Sequence, residues 1–274
     1  MSQRLALIFL FLGFAACGGG GSVSINGSTG GSQALDGATA RKVTNDLMIF
    51  ESTQATSSSL PIWAPTPEGS ALAFTPGASN ICVTKGVPSA PDGNGYTHVL
   101  STYSGCTGPQ GGTLNGTVDT AFKNNDYYLS YNLTAALPAS GLSWTYTGQR
   151  HLVLDPTHSQ STITSTIVVS AYLNGSLLGT ENYNANLSAD WATANQYKLW
   201  GTFNVTSTGQ DTLVGTLSAA QPLIWSPGCC YPGSGTLALT RGTQSGSVTF
   251  ALPCGQVTLS LPGSGDAAVA LPGC

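Results

Sequence analysis

Residues 161–190 read STITSTIVVSAYLNGSLLGTENYNANLSAD. Two alternating runs meet at Asn174-Gly175. In the first, Ile163, Ile167, Val169, Ala171 and Leu173 fall on one side of an extended chain. In the second, Tyr183, Ala185, Leu187, Ala189 and Trp191 are opposed by Asn182, Asn184, Asn186 and Ser188. Period two, apolar on one side and polar on the other, is the pattern of antiparallel strands with one wet face. The Asn-Gly joint supplies the positive φ that a type I′ hairpin turn needs at both central positions. The segment therefore predicts a β-hairpin.

The same period extends outward. Tyr127, Leu129, Tyr131 and Leu133 alternate with Tyr128, Ser130, Asn132 and Thr134; Leu142, Trp144 and Tyr146 alternate with Ser143, Thr145 and Thr147. A strand is expected over Gln149–Leu154, and Tyr197, Leu199, Phe203 and Val205 share another apolar side. Asn124-Asn125-Asp126 and Asp92-Gly93-Asn94-Gly95 read as turns, the second being also the opening of a calcium loop without its later Glu. Three short strands follow, Thr236–Thr240, Ser247–Leu252 and Val257–Leu261. Ala40, Val43, Leu47 and Phe50 recur at helical spacing, which predicts one short N-terminal helix. The expected fold is all-β, an antiparallel sandwich or a large curved meander sheet.

Of the 274 residues only 7% are charged, against about 25% in an average soluble domain, with Lys+Arg 8 and Asp+Glu 12. Ser, Thr, Asn and Gly must solubilise the surface. The balance excludes the basic footprint of a nucleic-acid binder. The apolar share, 41%, suffices for a core.

At the start, Arg4 precedes an apolar run from Leu5 to Ala16, broken only by Gly13, that ends Phe14-Ala15-Ala16-Cys17 before Gly18-Gly19-Gly20-Gly21-Ser22. Twelve helical residues span about 18 Å, short of the roughly 30 Å hydrocarbon core, so the run is read as a signal h-region. Here the chain resembles bacterial lipoproteins, whose lipobox places two small residues before the lipid-accepting Cys; Phe14 departs from the usual Leu. The resemblance implies cleavage after residue 16, lipidation (palmitate included) at Cys17, and the cell envelope as location. Gly18 in place of Asp implies the outer rather than the inner membrane.

On this reading residues 1–16 are the signal peptide, 17–34 a Gly/Ser-rich tether, 35–69 the helix and a linker, 70–220 the main β domain, and 221–274 a disulfide-rich meander that is either a subdomain or a continuation of the sheet. Six Cys remain after Cys17, namely Cys82, Cys106, Cys229, Cys230, Cys254 and Cys274, which suits three bridges in an oxidising compartment. Cys82 with Cys106, on neighbouring strands, is the expected pair. The vicinal Cys229 and Cys230 are read as bridging different partners, Cys254 and Cys274. No C-x-x-C pair or nearby His supports a metal, and no cofactor is expected.

His151, Asp155 and His158 are the one titratable cluster in the sequence, readable as a hydrolytic or metal group or as surface His beside a turn-capping Asp. No G-x-S-x-G elbow accompanies them. Glu181, Asp190 and Asp211 are scattered carboxylates, Glu181 carrying the parity of the apolar Tyr183 row. Trp200 and Tyr128 share parity with polar neighbours. They are either ligand-contact aromatics, suited to glycan stacking or a protein contact, or core residues of a sheet covered on both faces. The expectation is a lipid-anchored, membrane-tethered envelope protein of binding type rather than an enzyme. A purely structural component is the alternative, and a hydrolase the third reading.

Overall fold

The computed structural model describes Leu35 and residues 82–107, 113–138, 141–155, 157, 159–190, 192–193, 196–207, 210–225, 231–253, 255–263 and 265–270. Fourteen strands follow in order: β1 (Val83–Lys85), β2 (Thr97–Thr107), β3 (Thr113–Lys123), β4 (Asp126–Leu137), β5 (Leu142–Leu154), β6 (Gln160–Leu173), β7 (Ser176–Asp190), β8 (Tyr197–Ser207), β9 (Leu213–Leu217), β10 (Leu223–Trp225), β11 (Gly235–Arg241), β12 (Gln244–Ala251), β13 (Gln256–Leu261) and β14 (Gly265–Ala270). All belong to one antiparallel sheet. Of the two architectures expected, the chain adopts the single meander and not the sandwich. The expected helix, the tether and the lipobox lie outside the described residues.

Each strand pairs with its chain neighbour from β1 to β9, and the sheet continues without a break from β9 through β11 to β14. The described strands of this C-terminal stretch, β10 to β14, thus belong to the same sheet. β10 pairs with Tyr197–Leu199 of β8, on the edge that β9 covers from Gly201 to Val205. β9 and β10 are therefore one strand line, interrupted by the excursion over residues 218–222.

Burial follows the alternation residue by residue. β6 runs from Ser161 to Ala171 with odd positions buried and even ones outward. Leu114, Leu133, Trp144, Ile163, Leu187, Leu199, Phe203, Leu217, Leu237 and Val248 belong to one apolar core that draws on β2 to β13. A sheet with one shared buried side must curl around it. Leu35 joins that core, and its backbone N–H donates to the side-chain oxygen of Gln244 on β12. Arg150 is buried on the inward side, where its Nε donates to Ser165 Oγ at 3.2 Å.

A glycine explains how a 13-residue strand replaces the two shorter runs expected around residue 148. Gly148 lies inside β5 at φ 141°, opposite Ile167 and Tyr131. A Cβ there would stand 2.1 Å from the Thr166 carbonyl oxygen. The neighbouring backbone comes so close that only glycine lets the strand bend and continue. At the hairpin tips the sequence reading holds: Asn174 and Gly175 have φ 50° and 80°, as a type I′ turn requires. The expected Cys82–Cys106 bridge ties the start of β1 to β2, with Cα atoms 5.0 Å apart. Cys229, Cys230, Cys254 and Cys274 lie outside the described residues.

Two outcomes follow for stability. Gly148→Ala destabilises the fold by at least about 2 kcal/mol in urea unfolding, because it combines a forbidden φ with a backbone clash. Cys82→Ser costs about 3 kcal/mol, the entropy of a loop closed over a separation of 24 residues.

Candidate functional site

The outward face of β2 to β5 gathers the polar and aromatic groups. Register does this. Tyr128 on β4 pairs with His151 on β5, and Ala121 on β3 pairs with both Tyr128 and His98 on β2. One row across the sheet therefore reads His98, Ala121, Tyr128, His151. The rings of Tyr128 and His151 stack at 4.1 Å with 3° between their planes, and Tyr96 meets Tyr128 edge-on at 5.6 Å. Lys123 Nζ lies 5.7 Å from the Tyr96 ring centre and donates to the Asn94 carbonyl at 2.9 Å.

Asp126 is the hub. Its Oδ2 accepts from Tyr96 O–H at 2.7 Å, and its Oδ1 lies 2.6 Å from His151 Nε2. The Asp126 carboxylate pushes the Tyr96 phenol up to about 12, so Tyr96 is a permanent donor at neutral pH. A second group adjoins it. His98 Nδ1 lies 2.8 Å from Asp119 Oδ2, with Asp92 Oδ2 at 3.6 Å from Nε2. The Asp119 hydrogen bond raises the His98 pKa above its usual 6.5, against partial desolvation and with help from Asp92. Ser89 bonds the His98 backbone in both directions, so the connector ahead of β2 is pinned to the β2–β3 ladder.

The Asp92-Gly93-Asn94-Gly95 segment is a turn in which Asp92 Oδ1 accepts from the Asn94 and Tyr96 amides. The Tyr96 amide bond in particular holds the Asp92 carboxyl below the usual range.

His151 therefore has Asp126 as its partner, and Asp155 is engaged elsewhere. Asp155 Oδ1 accepts from the amides of Ser159 and Gln160 at 2.7 Å, and Oδ2 accepts from the Thr157 amide and hydroxyl. The Thr157 hydroxyl contributes most to holding its pKa down at about 2. His158 lies outside the described residues. Glu181 sits mid-strand on β7, where Ser207 Oγ donates to it at 3.5 Å, and Asp190 closes the same strand opposite Lys198. Nine residues of strand, about 30 Å, separate the two. Asp211 stands exposed before β9. Among the described residues no three His, Cys, Asp or Glu side chains converge on a point that could hold a metal ion.

The two candidate ligand-contact aromatics occupy the outward face, both half-buried. Tyr128 has one ring face covered by His151. Trp200 lies four strands away on β8, opposite Ser188, about 19 Å from Tyr128 at the usual strand spacing. The Tyr128–His151 row continues through Thr164, Asn186, Thr202 and Thr216, paired in turn on β6 to β9 and all exposed, and Trp200 stands beside Thr202, two residues earlier on β8 in the neighbouring row of Ser188. In the adjoining row Asn184 Nδ2 donates to Asn204 Oδ1 at 3.3 Å. The sequence shows the members of this row as polar positions, but only the register joins them.

Compared with known proteins, the chain matches no family, no curated protein and no solved structure. No helix among the described residues is long and apolar enough to cross a membrane. The strands β6 to β8 carry apolar residues inward and Thr, Asn and Ser outward, the reverse of a lipid-facing barrel wall.

The His98 clasp gives a signed pH dependence. A raised His pKa strengthens folding fully below 6.5 and the gain disappears as pH climbs through the raised value. By NMR the His98 ring titrates above 6.5, and in Asp119→Asn it moves back toward 6.5. The urea midpoint of the wild type falls more than that of Asp119→Asn between about pH 6 and about pH 9. Equal falls would dissociate the clasp from stability.

Proposed function

We propose that this chain is a lipid-anchored protein of the bacterial cell envelope, tethered to the outer membrane through Cys17, whose sheet serves as a binding module. The observation that carries the reading is the separation of the two sides of the sheet. The inward side holds the core. The outward side presents an uncharged row of hydroxyls and an amide, Thr164, Asn186, Thr202 and Thr216, with the half-buried Trp200 ring beside Thr202 and the Tyr128–His151 stack at the β6 end. Half-buried aromatics beside exposed hydrogen-bonding side chains are a composition suited to a recognition surface.

A hydrolytic role finds less support. The two His–Asp contacts, His151–Asp126 and His98–Asp119, are joined by Tyr96 and by Asp92. Among the described residues, the ring nitrogens of His98 and His151 are bonded to Asp119 and Asp126, and neither is hydrogen-bonded to a Ser, Thr or Cys that could lose a proton to it. The Asp126 hub instead makes a satisfied network that stiffens the β2–β5 corner.

Palmitate labelling of cells expressing the full chain marks the wild type and leaves Cys17→Ala unlabelled. Cys17→Ala protein, added back to isolated envelopes, remains bound after washing at the level of the wild type. Lipid-dependent retention alone would point to a structural component and overturn the binding reading.

A further inference from the structure

We propose that the row formed by Thr164, Asn186, Thr202 and Thr216, together with Trp200, binds an extended neutral polysaccharide lying across strands β6 to β9. The inference rests on the binding reading above and adds its ligand class and its contact residues.

Charge comes first. The four members of the row are uncharged and exposed, and they stand directly opposite one another on successive strands. The nearest ionisable pair on β7 and β8, Asp190 and Lys198, faces itself as register partners, and Gln160 Nε2 donates to Asp190 at 3.0 Å. At the other end Thr164 pairs with His151, whose Nε2 lies 2.6 Å from Asp126 Oδ1, so the ionisable groups beside the row stand in acid–base pairs and none of its four members carries a charge to attract a phosphate, uronate or sulfate. Each member can both donate and accept a hydrogen bond, which suits the hydroxyls of a neutral sugar.

Shape comes second. Four strands at about 4.8 Å spacing give a row about 14 Å long, too long for one monosaccharide and matched to several residues of an extended chain. Trp200 precedes Thr202 by two residues on β8, so both project from the same side of the strand, with Ser188 opposite the Trp. Its half-buried ring is anchored against the core while part of it remains on the wet side, the arrangement that lets an aromatic stack on a sugar face.

Preorganisation comes third. Thr is stiff at χ1, and the neighbouring Asn184–Asn204 bond fixes the adjoining row. Little side-chain freedom is lost when a ligand docks on such a surface.

The test uses the full-length mature protein in detergent, with laminarin, amylose and cellulose as neutral probes and alginate and heparin as anionic ones. The expected result is binding to at least one neutral polymer, unchanged between about 50 mM and about 1 M NaCl. Trp200→Ala weakens it about tenfold or more, and Asn186→Lys with Thr202→Lys abolishes it, while circular dichroism still shows a folded β-sheet in each variant. Thr164→Ser, which keeps the hydroxyl, retains binding. Retention on envelopes without binding to any neutral polymer overturns this inference and leaves the binding reading standing. Neutral binding that survives both Trp200→Ala and the double Lys variant, or binding confined to the anionic polymers and lost in salt, overturns it as well. Failure on every polymer and on envelopes removes both.

Discussion

One-sided burial is the constraint on which the structure depends. The chain has few charges with which to organise itself, so the separation of apolar from polar positions by strand parity has to decide which way every side chain points. A slip of one residue in any pairing would carry Ile163, Ile167 and Val169 to the wet side and bring Thr162, Thr164 and Thr166 inward. The register is accordingly tight along β2 to β9, with shifts between Tyr103 and Cys106 and between Ala171 and Tyr172. The curl of the sheet follows, because the strands β2 to β13, sharing one apolar side, can bury it only by bending around it. Gly148, and Gly201 at φ 127° on β8, mark places where the backbone accommodates that bend.

The outer surface is the complement of this core. Each buried Leu or Ile has an outward neighbour that must be soluble without being charged, and the chain supplies Thr, Asn and Ser. Regular pairing then arranges these neighbours in straight rows. Rows of this kind are a by-product of register, and what distinguishes the one from Thr164 to Thr216 is the Trp200 ring beside Thr202 and the Tyr128–His151 stack at its β6 end. At the β2–β5 corner the rows carry instead Tyr96, Asp126, His151, His98 and Asp119. There a few ionisable groups are spent on one another and fasten the connector before β2 to the sheet.

Much of the fold was legible in the sequence because parity is a local property. Residues 161–190 show two strands and their turn without any tertiary information, and the Cys82–Cys106 pair follows from neighbouring strands. Gly148 and the strands β9, β10 and β14 were not legible, for physical reasons. Gly148 reads as a break, because nothing local says that the next strand approaches too closely for a side chain. β14 is Gly-Asp-Ala-Ala-Val-Ala, with hardly any β-branched residues, and owes its strand conformation to β13 alongside. β9 and β10 are too short to show a period. The site was less legible than the fold. His151 with Asp126 depends on the β4–β5 register, which the turn around Pro138 and Gly141 sets and which no spacing reveals. The His–Asp proximity suggested by residues 151 and 155 was a neighbourhood in sequence only, since Asp155 is consumed by its own turn.

The order of the strands has a kinetic consequence. Because almost every ladder joins segments adjacent along the chain, contact order is low for a β protein of this length, and hairpins can be added one after another with short loop closures. The contact of Leu35 with Gln244 is of another kind, bridging 209 positions. It cannot form until β12 exists. A chain made in this way zips forward from its first hairpins and is fastened at the end by a residue synthesised near the beginning.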